Sequence, residues 1–535
     1  MKKILFFIIA ILAMVLPCHA DTWDGTSSDT SWYVEELSEY HIKSASQLKG
    51  FADIVNNGIA TFEGKTVYLD SDIDLDNNQW TPIGYVGIDF GGKSFYGEFN
   101  GQGHSISNMY IDSSKLPWNM GVGNAGLFGF ATDIIRNIKV DGLIIINDNS
   151  SYPLYFVGGI VANGFGVVNS ESSVDIELCK SILNSNFYIG GIAGNINSVS
   201  LVKAKGDIKT TSDEKISNGY IGGIVGCCIE IISESSATGS IDLDVYKSAS
   251  IGGMLSIGGI VGGYSMIENC IFSGSMDVNN ITTDGIVLIG GIGGYCINEN
   301  GLVYNNIMIP SYFATNISKY NGQILPVKSS SVSCFYNYYL SDFDNGNEFY
   351  GEGVNSDFLK SGNPLPNFDT DIWEFKEGCY PMLKKLKSTY TISVPVSDGQ
   401  IGVDVLEGEN ITISIKPEAG WKLQTLYVDS DDCTYLMNGN RYTFENVTSN
   451  HTVSAVFAES ATGIQNIGTE NEKVSLKIND RRILLSGVDV NTDVDIYAVD
   501  GKLIKKVKAE ELLEIQFPKG IYIVRVGTDS FKINL

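Results

Sequence analysis

Histidine is scarce in this 535-residue chain: only His19, His41, His104 and His451 are present, and none is followed by glutamate. A zinc-binding helix of the His-Glu-x-x-His type is therefore excluded. Basic residues are also few, 36 Lys and Arg against 62 Asp and Glu, for a net charge of −26. Nucleic acid and anionic membrane draw affinity from neutralised phosphate, so neither suits such a surface. The acidity instead keeps a long β stack soluble and its edges apart. Beyond residue 20 there are eight cysteines (Cys179, Cys227, Cys228, Cys270, Cys296, Cys334, Cys379 and Cys433), with no Cys-x-x-Cys spacing of a zinc site. No stretch after the first 20 residues is apolar for long enough to span a membrane. Between Gly126 and Ile309 no amphipathic helical period occurs.

What the chain has instead is a repeat. Phe156-Val157-Gly158-Gly159-Ile160 returns as Tyr188-Ile189-Gly190-Gly191-Ile192 and Tyr220-Ile221-Gly222-Gly223-Ile224. It returns again as Ser256-Ile257-Gly258-Gly259-Ile260 and Leu288-Ile289-Gly290-Gly291-Ile292, after a degenerate first copy at Asn124-Ala125-Gly126-Leu127-Phe128. The second glycines, Gly126, Gly159, Gly191, Gly223, Gly259 and Gly291, stand 33, 32, 32, 36 and 32 residues apart. Such a period marks a solenoid, whose units bury their apolar faces against their neighbours. Between the glycine pairs lies a second phrase, Ile267-Glu268-Asn269-Cys270-Ile271-Phe272-Ser273-Gly274, with looser copies at 201–206 and 231–239. Both phrases are β-branched and bounded by turn residues, so they read as strands. Coils made only of strands and turns predict an all-β chain built on a right-handed parallel β-helix. The apolar residues flanking each glycine pair are three apart and would face opposite sides of a straight strand. The pair is therefore read as a corner, with a positive φ as the reason for glycine. Gly159, Gly191, Gly223, Gly259 and Gly291 should stack in one column, one rung apart. They are not phosphate loops, since no Lys-Ser or Lys-Thr follows them.

On these motifs the chain resembles the GLUG-repeat family, whose consensus runs Gly-Gly-Leu/Ile-Val-Gly, Ile-x-Asn-Cys, Gly-x-Val. The match covers roughly Gly126 to Ile309. Flanking segments are similar too: Asp72-Ile73-Asp74-Leu75, Trp80-Thr81-Pro82-Ile83-Gly84, Phe95-Tyr96-Gly97-Glu98-Phe99-Asn100-Gly101-Gln102-Gly103-His104 and Trp373-Glu374-Phe375-Lys376-Glu377-Gly378. The resemblance implies the β-helix but no one activity, because these repeats serve as accessory modules. Some members are immunoglobulin A peptidases working through a His-Glu-x-x-His helix, which this chain lacks.

Domain borders follow from composition. Lys2 and Lys3, the apolar run Ile4 to Leu16 and Cys18-His19-Ala20 predict a signal peptide over residues 1–20. Residues 21–125 form an N-terminal cap and entry coils, in which residues 46–55 have helical spacing and Gly58 is a stop. Residues 126–320 are the repeats, and 321–387 an aromatic-rich C-terminal cap. Residues 388–458 alternate at Ile411, Ile413 and Ile415 and turn at Pro417 to Trp421. This module resembles the β-grasp-like B repeat of internalins, a spacer in bacterial surface proteins. After a polar linker, 459–473, residues 474–535 alternate again, with a hairpin turn at Asp500-Gly501. They resemble the C-terminal sorting domain of type IX secretion, at Asp500-Gly501-Lys502-Leu503, Lys519-Gly520-Ile521-Tyr522 and Lys532. That resemblance implies the type IX machinery as a partner.

Candidate chemistry is sparse, and no cofactor or metal is implied. Asp70, Asp72, Asp74 and Asp76 would line one strand face, but alternate residues sit ~6.6 Å apart, too wide for a single ion. The His104 turn reads as structural. Cys228 and Cys296 share a slot two rungs apart, ~10 Å, too far to bridge; most thiols are expected to be free and buried. Phe335-Tyr336-Asn337-Tyr338-Tyr339, with Tyr350, concentrates aromatics, and Tyr336, Tyr338, Tyr339 and Tyr350 are candidate glycan-stacking residues; filling the cap is the alternative.

Together these features predict a secreted or surface-displayed, non-enzymatic adhesion platform binding an extracellular glycan or protein, placed outside the cell or on the outer membrane surface. The rivals are a glycan-active enzyme with a β-helix groove and a purely structural stalk.

Overall fold

The computed structural model describes residues 21–459 and 475–534, apart from short segments, chiefly 88–90, 117–121, 148–153, 180–185, 211–217, 244–248, 316–319, 344–349, 397–398, 407–409 and 418–420, and isolated positions. The expected signal peptide, and all of the expected linker after Glu459, lie outside the described residues. The chain divides into two compact units, one up to residue 388 and one from residue 389 on.

The first unit is a parallel β-solenoid of about seven turns. One face is a seven-stranded parallel sheet in which Val122–Ala125, Leu154–Gly158, Asn186–Gly190, Gly219–Gly222, Met254–Gly258, Ile286–Gly290 and Asn321–Gly322 follow one another coil by coil. After each glycine pair the chain enters the second, larger parallel sheet, at Phe128, Val161, Ala193, Val225, Val261 and Gly293. The pair is indeed a corner. Val157 and Ile160, three residues apart, are both fully buried, because the two glycines swing the second strand inward.

The reason for glycine at this corner differs from the expected one. None of the six glycines has a positive φ. Their need is room: a Cβ on Gly159 or Gly191 would sit 2.5 Å from the carbonyl oxygen of the glycine one coil on. On Gly223 and Gly259 the gap shrinks to 2.2 and 2.1 Å. Backbone hydrogen bonds run up the same column, Gly159 N to Gly191 O and Gly191 N to Gly223 O, both at 3.2 Å. The coils touch backbone to backbone here, and any side chain would hold them apart.

The left-handed conformation appears at a second corner. Gln102, Asn137, Asn169, Leu201, Glu234, Asn269, Asn305 and Tyr336, one per coil, all have φ between 44° and 57°. Among residues with a side chain, Asn tolerates this region best, hence the Asn of the second phrase. The next residue turns its N–H toward the interior, where side chains from the following coil receive it: Ser235 Oγ from Val202 N at 3.2 Å, Asn306 Oδ1 from Cys270 N at 2.8 Å, Asn337 Oδ1 from Asn306 N at 3.0 Å. Ser235 and Asn306 are fully buried, so these bonds answer polar groups that water cannot reach.

The ends are closed as a solenoid requires. At the entry, helix Ala45–Asn56 is capped by Ser44, whose Oγ accepts from Gln47 N. It inserts Leu48, Phe51, Ala52, Ile54 and Val55 into the core, and Phe51 packs on Phe62, Phe95, Phe99 and Phe128. At the exit, Val332–Phe335, Tyr338–Leu340 and Glu352–Val354 continue the parallel pairing. The closing segment then doubles back along the left-handed corner: Asn305 Nδ2 donates to Asn367 O, Trp373 Nε1 to Asn269 Oδ1, and Lys385 Nζ to Glu234 Oε2. It straps the flank as well as covering the end.

In the second unit, Thr389–Val396, Gly399–Leu406, Trp421–Val428, Asp431–Asp432 and His451–Glu459 form one sheet over Ile392, Leu426, Phe444 and Val453. Ile411–Ser414 and Arg441–Phe444 pair beside them. From residue 475 a three-stranded and a four-stranded antiparallel sheet enclose Ile483, Leu485, Val494, Ile496, Val524 and Val526, a small sandwich with its hairpin at Asp500-Gly501. Lys519 and Leu535 lie outside the described residues.

Candidate functional site: an aromatic groove at the glycine corner

The glycine corner folds so tightly that the outer faces of its two strands approach each other. The second strand carries Ala162, Gly194, Gly226, Gly262 and Gly294 in successive coils. A Cβ on Gly194 would lie 2.7 Å from Val157 N, and one on Gly226 2.4 Å from Ile189 N. Only small residues fit under the first strand, which explains the third glycine of Gly-Gly-Ile-Val-Gly. The result is a groove running along the solenoid.

One wall of the groove is a ladder of rings. Phe156, Tyr188 and Tyr220 are in register, with centroids 5.1 and 5.2 Å apart and planes inclined by 27° and 17°. Ser256 and Leu288 extend the same column. Phe156 is buried under Val86 and Val122, whereas Tyr188 and Tyr220 are half-buried. Their ring faces are occupied by one another and, for Tyr220, by Gly263, where a Cβ would fall 2.8 Å from the ring. What remains for the groove is ring edge and hydroxyl. Neither hydroxyl has a protein hydrogen bond among the described residues.

The opposite wall is the column Phe130, Asn163, Asn195, Cys227, Gly263 and Tyr295. Asn195 Nδ2 donates to Asn163 Oδ1 at 3.1 Å, and Tyr295 is exposed. Burial, then the neighbouring Cys227, Tyr188 and Tyr295, pushes the Tyr220 hydroxyl up to about 12. Burial likewise pushes the Cys227 thiol up to about 12, so it stays protonated and unreactive. The groove is uncharged at neutral pH on these residues and offers hydrogen-bonding edges, an arrangement for binding.

The aromatics singled out from sequence fare differently. Tyr338 and Tyr339 are buried, at 3% and 1% exposure, Tyr338 beside Phe368 and Tyr339 in the solenoid core, so neither ring can receive a sugar. Tyr350 is partly buried, and its hydroxyl donates to Ser329 O and accepts from Ser329 N. Tyr336 alone is exposed, next to exposed Phe335. Three of the four are turned inward, and only Tyr336 offers its ring to solvent. The ladder was missed although its signal stands in the repeat, as the first residue of three consecutive glycine phrases.

The aspartate cluster does not share one strand face, because the strands Thr66–Leu69 and Ile73–Asp74 are separated by a turn. Three of the four carboxylates have local work. Asp70 meets His41 Nδ1 at 2.9 Å and accepts from Gln102 Nε2. Asp72 accepts from Ser105 N at 2.8 Å and meets His104 Nδ1 at 3.2 Å, and Asp74 accepts from Asn108 Nδ2. Among the described residues, no group of three or more His, Cys, Asp and Glu could hold a metal ion. In the second unit His451 meets Asp429 Oδ2 at 2.6 Å and Ser449 Oγ at 3.4 Å. This has the connectivity of a hydrolytic triad, but the Asp429 side chain is 46% exposed, and a triad needs a buried, unscreened acid. All eight cysteines are free. Cys228 and Cys296 lie in one column with Tyr264 between them.

No family model matches the chain, and no curated protein does. Among solved structures it is similar to the 1.30 Å crystal structure of a putative immunoglobulin A1 protease from Bacteroides ovatus, with 18% identity over 65% of this chain and 92% of that one, at a TM-score of 0.31. An overlap of this size carries no functional information.

Proposed function

We propose that this chain is a secreted, surface-displayed β-helix that binds an extracellular glycan without transforming it. The observation that carries this reading is the groove at the glycine corner, where Tyr188 and Tyr220 stack with hydroxyls that have no protein hydrogen bond among the described residues, and the facing column carries the Asn163–Asn195 amide pair. A rigid aromatic wall and a few polar groups are what a polyhydroxylated ligand requires. The signal-peptide pattern and the GLUG-like and B-repeat-like motifs support an extracellular site of action. The sandwich from residue 475 on, with its likeness to type IX sorting domains, is read as the address for export through that machinery.

A glycan array probed with the mature chain, residues 21–535, tests the binding claim. Hits that weaken at least tenfold when Tyr188 and Tyr220 are both replaced by Ala are expected; an array without hits would refute it. Deleting residues 474–535 should leave the solenoid folded and retain the protein in the periplasm. Surface display of that truncated form would refute the address reading.

A further inference from the structure

We infer that the second unit holds a sugar site of its own: an open cleft walled by Trp421, which takes one pyranose residue with a ring face against the indole. This goes beyond the groove of the solenoid, and either site can stand without the other.

Trp421 opens the strand Trp421–Val428. Among the described tryptophans it alone is exposed, at 45%; Trp23, Trp80 and Trp373 are buried, and Trp32 packs against Tyr40, Phe51 and Phe62. A single exposed ring is ordinary on a protein surface, and its setting decides what it can do. This one lines a cleft of about 340 Å³ with Lys422, Leu423, Thr434, Met437 and Asn440, large enough for a small ligand. Among the described residues no other ring and no cation packs on the indole. Tyr188 and Tyr220 spend their ring faces on one another, whereas Trp421 keeps its own for a ligand.

The polar groups around the ring narrow the ligand. Thr434 is spent, since its Oγ1 donates to Asp432 Oδ1 at 2.6 Å and accepts from Leu426 N at 2.9 Å. The Lys422 ammonium and the Asn440 amide have no side-chain partner among the described residues. The cleft thus divides into an apolar part, Trp421, Leu423 and Met437, and a part with unused donors. A pyranose divides the same way, into a face of C–H groups and a rim of hydroxyls, so the two surfaces match. An extended peptide fits less well. Strand Asp431–Asp432 covers only Tyr427 and Val428, which leaves Trp421 to Gln424 as the open edge, and a bulge between Leu423 and Thr425 interrupts it. An added strand would gain few backbone bonds there.

Saturation-transfer NMR tests the cleft on the mature chain, residues 21–535, carrying Tyr188→Ala and Tyr220→Ala so that the groove is silent. The probes are the methyl glycosides of glucose, galactose, mannose and N-acetylglucosamine. At least one should bind and receive saturation most strongly on the protons of one ring face. Adding Trp421→Ala should weaken that binding about tenfold or more, while Trp421→Phe, which keeps a ring, should retain most of it. Asn440→Ala should cost about three- to tenfold, as for loss of a hydrogen bond. Sorbitol, which has the hydroxyls without the ring face, should not compete. Binding of no glycoside on this background, binding untouched by Trp421→Ala or by Asn440→Ala, or competition by sorbitol would overturn the inference, as would capture of an extended peptide at the cleft with no glycoside bound. None of these touches the groove, which is judged by array hits lost with Tyr188 and Tyr220. Hits that survive those two substitutions and vanish with Trp421→Ala would support the cleft and count against the groove.

Discussion

Replacing Gly223 tests the corner at its tightest reasoning. A Cβ there would stand 2.2 Å from Gly259 O and 2.9 Å from Ala237 Cβ, where ordinary contact begins at 3.4 Å. The obstacle is backbone, so no side chain can rotate aside, and the coils must part by roughly 1 Å. Parting strains the bonds Gly191 N to Gly223 O, 3.2 Å, and Gly223 N to Gly258 O, 3.3 Å. Overpacking of this kind costs typically 1–3 kcal/mol, and a weakened hydrogen bond about 1 more. Gly223→Ala should therefore lose about 3 kcal/mol of local stability, and Gly223→Val more. The loss should be read by native-state hydrogen exchange in Asn186–Gly190, Gly219–Gly222 and Met254–Gly258. The informative control is Gly223→Asn. If glycine were needed for a left-handed φ, Asn would be tolerated better than Ala; on steric grounds it does no better. Rescue by Asn, or an Ala variant within about 0.5 kcal/mol of the parent, would refute the close-approach argument.

Three further outcomes are expected. Asn306→Ala, which removes donors to Ile267 O, Tyr304 O and Asn337 Oδ1 and the acceptor of Cys270 N, should cost roughly 3 kcal/mol by denaturant titration, and a loss below about 1 would count against a buried ladder. Thiol titration should find eight free cysteines in denaturant and slow reaction of Cys227, Cys228 and Cys270 in the native protein, because burial raises all three; native disulfides by mass spectrometry would contradict it. Burial tends to raise the Asp72 carboxyl, but Ser105 N–H, His104 and Ser105 O–H together hold it below 3.8. Its folded value is thus lower than its unfolded one, so its contribution is complete above pH 3.8 and fades as pH falls. Asp72→Asn should flatten that acid-side loss in the entry coils, and an unchanged pH profile would rule the pairing out.

Much of the architecture was legible because a solenoid writes its period into the chain. Five intact glycine phrases located the corner, and the helix at 45–56 announced itself through its apolar spacing and the stop at Gly58. The purpose of the glycines was not legible, since a positive φ and a close backbone approach select the same residue. The left-handed corner was half visible: Asn137, Asn169, Asn269 and Asn305 signal it, but Leu201, Glu234 and Tyr336 hold the same φ and disguise it. Aromatic crowding misled at Tyr338 and Tyr339, because a dense run serves a cap as well as a platform. The groove depends on which residues share a column across 32-residue gaps, and only the register reveals that Phe156, Tyr188 and Tyr220 touch.

The strap from Asn367 to Lys385 ties three coils together by contacts that skip along the axis. A solenoid whose units hold only their neighbours can peel open from its last coil, like a zip. Here peeling must first release Trp373 from Asn269, far behind the advancing end. The exit coils and the middle of the stack are thereby joined into a single event, and resistance to being pulled or clipped at the C-terminal side is set by that latch rather than by the weakest rung.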